Sequence, residues 1–152
     1  MNPTNEKYLL IKLNLLIEIL NKTKKVSNTL LNAQYKEINE TFKKLWILTP
    51  HDPFLYYKKG EVFLTSFQYI EACITFKKGI SLIENLTRLS SNDMNSNSKE
   101  NKVYRQKLQK LSKVMSKLQT KASKKLNEVL FLLFLLFLFL ALTHCHCNLL
   151  FN

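Results

Sequence analysis

Apolar residues recur at helical spacing along most of the chain, and the interruptions divide it into segments. Tyr8 to Leu20 is strongly apolar, broken only by Lys12, Asn14 and Glu18. It predicts a buried helix, with Asn5 or Thr4 as cap and Glu6 in the first turn. Three polar breaks and no small-residue cleavage site argue against a secretory signal. Asn21 to Lys25 is a polar, basic step. It reads either as a turn or as the middle of one long helix from about Glu6 to Leu31. Gln34 to Leu48 predicts a further helix. Thr49-Pro50-His51-Asp52-Pro53 is the clearest boundary, with Asp52 before Pro53 in the cap-then-proline order of a helix start. Pro53 to Leu86 then predicts two short antiparallel helices joined at Ser66 to Gln68.

Beyond Leu89 the pattern changes twice. Residues 90–101 are nearly devoid of apolar side chains and predict a flexible polar linker. Tyr104, Leu108, Leu111, Met115, Leu118, Ala122 and Leu126 then recur every three or four residues, a single apolar stripe on a helix over 102–128. From Val129 to Leu142 no side chain carries a polar atom.

The composition adds a fold class. Two glycines and three prolines in 152 residues are too few for the tight turns of an all-β protein. The expectation is an all-α chain: a helical domain over 1–89, the linker 90–101, the basic amphipathic helix 102–128 and a hydrophobic tail 129–152. The charge is local. Nine cations, Lys102 to Lys125, share the stripe's helix with no acid among them, and without them the formal charge of +12 falls to +3. Lys110, Lys113, Lys117, Lys121, Lys124 and Lys125 are therefore candidates for contact with an anionic lipid surface. The same helix reads equally as a cap that turns lysines to water. Nucleic acid is disfavoured, because aromatic side chains are not interleaved with the lysines and no nucleic-acid module is present.

The tail sharpens the membrane reading. Its 14 apolar residues fall short of the ~20 that span a bilayer core, and counting on to Phe151 encloses His144-Cys145-His146-Cys147-Asn148. A single C-terminal span, with the basic helix on the cytosolic side, follows the positive-inside pattern. The alternative is a soluble protein whose tail is buried, or is the translation of a simple pyrimidine-rich tract. The alternating His and Cys match no usual zinc spacing. No metal or other cofactor is expected, and acylation of Cys145 or Cys147 fits better. Three cysteines give no disulfide framework.

The segment Pro53 to Leu86 resembles a tetratricopeptide repeat (TPR), whose signature is W-x2-L-G-x2-Y, then A-x3-F, then P, with a period of about 34 residues. Tyr56 takes the tryptophan place, Gly60 the glycine, Phe63 the tyrosine, Ala72 the alanine and Phe76 the second aromatic. Lys59 departs from the usual leucine, and Glu84 stands where the closing proline belongs. One period back, Phe76 becomes Phe42, Tyr69 becomes Tyr35 and Glu84 becomes Pro50, while Ala72 becomes Ile38. That gives one good repeat over 53–86 and a partial one over about 20–52.

The resemblance implies an α-solenoid scaffold that accepts a protein or peptide in a groove lined by the first helix of each repeat. Those positions are Phe54, Tyr57, Glu61 and Thr65, with Thr23, Ser27 and Leu30 from the weaker repeat. Tyr57 and Glu61 stand where chaperone-tail binders carry Lys and Asn, which argues against that ligand. They suit a basic or apolar partner. Two repeats fall short of the roughly three that make a stable array, so the helix after the linker or a second copy of the chain is expected to complete the stack. A catalytic role is not expected. The chain has no Gly-rich phosphate loop, paired acids or nucleophile elbow, and His51 reads as a solvated loop residue. The remaining alternative is a lipid-binding protein acting through the basic helix.

Overall fold

The computed structural model describes residues 5–22, 28–92 and 99–150; the side chains of 28–31, 91, 92, 99 and 142–150 are not described. The described chain is all-α, with five helices: α1 (Glu6–Lys22), α2 (Asn28–Leu48), α3 (Pro53–Thr65), α4 (Tyr69–Asn92) and α5 (Lys99–Leu150).

Local chemistry sets the helix ends. Asn5 Oδ1 accepts from the Lys7 amide at 3.0 Å and caps α1. Asp52 does the same for α3, accepting from the Phe54 amide at 2.9 Å, with Pro53 in the first turn where its missing N–H costs nothing. Between α3 and α4 the chain reverses in three residues, Ser66 to Gln68.

Each helix packs on its neighbour in sequence: α1 on α2, α2 on α3, α3 on α4, and α4 on α5. Two apolar cores result, with α3 as their shared wall. In the first, Leu9, Leu13, Ile17 and Leu20 of α1 meet Ile38, Phe42 and Leu45 of α2 and Leu55 and Val62 of α3. In the second, Ala72, Phe76 and Ile83 of α4 meet Leu108, Met115 and Ala122 of α5, flanked by Tyr56, Tyr57, Phe63 and Leu64 of α3. A helix that feeds two cores is apolar on both sides, which explains why α3 shows little amphipathic contrast.

Two expectations change. The helix α1 is half-buried rather than buried: Ile11, Leu15 and Ile19 form an exposed row opposite its core stripe. Of the expected linker 90–101, residues up to Asn92 belong to α4 and those from Lys99 to α5, and 93–98 lie outside the described residues. The basic helix and the apolar tail are one continuous helix of 52 residues, about 78 Å long at 1.5 Å per residue. Lysine and leucine both favour helix, so the change of composition at Val129 does not interrupt the backbone. Asn127 to Ala141 is exposed throughout. Among the described residues no helix is long and apolar enough to cross a membrane.

Candidate functional site

Tyr57, Glu61 and Thr65 follow one another by four along α3, so successive turns place them on one face. The Tyr57 hydroxyl donates to Glu61 Oε1 at 2.6 Å, and Lys58 Nζ reaches Glu61 Oε2 at 3.1 Å. The same ammonium lies 5.4 Å from the Phe54 ring centre and 5.1 Å from that of Tyr57. Phe54, Tyr57 and Glu61 are therefore held together around Lys58, which sequence reasoning did not single out. Its spacing of three from Glu61, a standard helical ion-pair interval, was the available signal. Burial first, and then the Glu61 carboxylate, push the Tyr57 phenol well above its usual range.

Thr65 Oγ1 lies 3.0 Å from the Glu61 carbonyl oxygen and 3.2 Å from Asn21 Oδ1, linking α3 to the end of α1. Glu61 and Thr65 line a cavity of about 310 Å³ with Asn21 of α1, Leu64 of α3, Tyr69 of α4, and Leu118, Lys121 and Lys125 of α5. Phe54 and Tyr57 do not line it, and Tyr57 is joined to it by its hydrogen bond to Glu61. Thr23 and Ser27 lie outside the described residues. Leu30 falls in α2, the second helix of the first hairpin, which runs unbroken to Leu48.

The lysines of α5 divide. Lys110, Lys113, Lys117, Lys121, Lys124 and Lys125 are all exposed. Lys121 and Lys125 also border the cavity, and Lys125 pairs with Glu128 at 2.6 Å. Lys113 borders a different cleft, of about 770 Å³, with Arg88 and Arg105.

The signature residues occupy the space between helices. The Gly60 backbone faces the Phe76 ring so closely that a Cβ there would stand 2.5 Å from Phe76 Cζ. Ala72, Phe76 and Phe42 are buried. The Trp46 ring stacks edge-on against Tyr56 at 5.0 Å, and Lys59 Nζ sits between the Trp46 and Phe63 rings, 5.1 and 5.7 Å from their centres. Tyr35 is half-buried against the first core, and Pro50 lies exposed in the α2–α3 turn. Among the described residues no group of three or more His, Cys, Asp or Glu side chains could hold a metal ion. The side chains of His144 to Cys147 lie outside the described residues.

No family model, curated protein or solved structure matches the chain.

Proposed function

We propose that this chain is a non-catalytic protein–protein interaction scaffold of TPR type, tethered to a membrane on its cytosolic face by the C-terminal segment. The observation that carries the scaffold reading is the α3–α4 hairpin, in which a helical glycine, Gly60, lets Phe76 lie against its backbone. A helix interior admits Gly only at a cost of about 1 kcal/mol relative to Ala, and close helix approach is the compensation. The cavity adds support, because its wall is built mainly from α1, α3 and α5, with Tyr69 at the start of α4 closing one side. In this reading α5 stands in for the first helix of a third repeat and closes the array, as a terminal cap must.

Glu61 is already engaged by Tyr57 and Lys58, and Lys125 by Glu128, so the cavity's remaining charge is that of Lys121. A peptide partner with an acidic side chain on an otherwise apolar face suits it better than a basic one. The test is affinity capture of the full chain and of Glu61→Lys/Thr65→Lys from detergent extracts, with helicity checked for both. Specific partners lost only from the folded double variant support the groove. An unchanged partner set sinks it.

The tether rests on Val129–Ala141. That described run reaches about 20 Å at helical rise, against a hydrocarbon core of about 30 Å, and Leu149, Leu150 and Phe151 continue its composition beyond the His–Cys segment. Lys121, Lys124 and Lys125 precede it as the positive-inside pattern requires. Carbonate extraction decides: retention in the pellet supports an integral tail. Release leaves a soluble adaptor or a lipid-surface protein acting through the exposed lysines of α5.

A further inference from the structure

We propose that the α3–α4 turn, led by Phe67, is a second lipid-contacting element that enters an anionic membrane interface beside the C-terminal segment. The inference rests on the tether reading and adds to it a docking face on the helical domain.

Three observations converge on this tip. The first is backbone geometry. The Gln68 amide donates to the Phe63 carbonyl at 2.9 Å and the Phe67 amide to the Leu64 carbonyl at 3.3 Å, the paired bonds of a Schellman helix end. The residue at the turning point of that motif is left-handed and is usually glycine. Here it is Phe67, at φ 60°, the one positive-φ residue among those described. The second is exposure. Burial does not offset that backbone cost, since Phe67 is 72% exposed; its ring meets that of Tyr69 in a T-shaped contact at 6.3 Å. Ile70 and Ile74 continue the exposed apolar row at helical spacing.

The third is position. Contacts of Arg105 with Ser90 and of Ser123 with Cys73 fix α4 and α5 as antiparallel. Continuing that register brings Phe67 level with Glu128, immediately before the apolar run begins at Val129. Tyr69 shares a cavity with Lys121 and Lys125; Lys125 is paired with Glu128, which leaves Lys121 and Lys124 as a cationic collar about 6 to 10 Å behind the tip at helical rise. An aromatic tip, aliphatic residues behind it and a lysine collar at the root of an apolar helix match the depth profile of a lipid interface. The charge selects anionic lipid rather than a second copy of this strongly cationic chain.

The test uses the full chain carrying Trp46→Phe and Phe67→Trp, so that the only indole reports on the tip. It is mixed with phosphatidylcholine vesicles containing phosphatidylserine and brominated acyl chains, and the bound fraction is isolated by flotation. Blue-shifted, quenched emission in that fraction is expected. Protein that floats with unquenched, red-shifted emission overturns the tip while leaving the tether standing. Protein that does not float overturns both. A blue shift that grows with protein concentration without vesicles assigns the tip to self-association and also overturns the proposal. If the double variant fails to fold, Phe67→Gly in the otherwise native chain decides. On vesicles, hydrogen exchange at 66–70 should be slowed in the native chain relative to the folded glycine variant, and equal exchange in the two overturns the proposal while flotation still reports on the tail.

Discussion

The ring of Phe76 lies against the backbone of Gly60, filling the place where any other residue would carry its first side-chain carbon. This contact sets the approach of α3 to α4. Gly60→Ala should therefore destabilise the fold despite the better helix propensity of alanine. Overpacking of this kind costs about 1–3 kcal/mol, against a propensity gain of about 1 kcal/mol. Thermal or urea unfolding of Gly60→Ala should show a net loss, and Phe76→Leu in the same chain should recover part of it. Independent, additive effects would show that the two residues do not share this space.

Met115 holds α5 to the rest of the molecule. It is fully buried, and its methyl group lies against Gly79 of α4, where Tyr56 also closes in. Met115→Ala should cost about 2–5 kcal/mol. Since the second core is built across this joint, protease should cut α5 faster in the variant before the α1–α2 pair yields. Simultaneous loss of both regions would mean that the two cores melt as one.

Much of this architecture was readable from single residues. Two prolines flanking His51 and Asp52 marked the α2–α3 boundary, because proline starts helices and cannot sit inside them. The apolar row from Leu108 to Ala122 marked the buried face of α5. What escaped was set by tertiary contact or by cooperative backbone structure. Lys121 and Lys125 read as members of a uniform basic face, and only the fold carries them beside Glu61. Stepping back one period placed Ser27 and Leu30 on a first helix. Leu30 instead lies in α2, which runs on unbroken to Leu48, while Ser27 falls outside the described residues. The turn at Ser66 to Gln68 was legible, but with no glycine or asparagine there nothing marks Phe67 as its left-handed residue.

Tyr57 makes stability depend on alkaline pH. Its phenol is raised above the ordinary value of about 10, first by burial and then by Glu61. A raised phenol pKa means that the unfolded chain loses this proton first. The native state keeps its full advantage below about pH 10 and loses it as pH rises through the folded value. Tyr57→Phe removes that titration and should flatten the decline measured by thermal melts between pH 9 and about pH 12. Parallel declines in the two proteins would show that Tyr57 is not held as described.

Phe67 predicts an unusual exchange between stability and binding. An L-residue in the left-handed region costs roughly 1–2 kcal/mol, and glycine escapes it at a small entropic cost to the unfolded chain. Phe67 loses little burial on truncation, because most of its surface is already exposed. Phe67→Gly should therefore raise stability by about 1 kcal/mol, read as a higher urea midpoint with unchanged slope. Phe67→Ala keeps the backbone cost and should show no such gain. A loss in Phe67→Gly larger than in Phe67→Ala would mean that the turn is not left-handed in solution. A stabilised glycine variant would show that the fold gains nothing from phenylalanine at this corner, leaving an intermolecular contact as the reason to carry it.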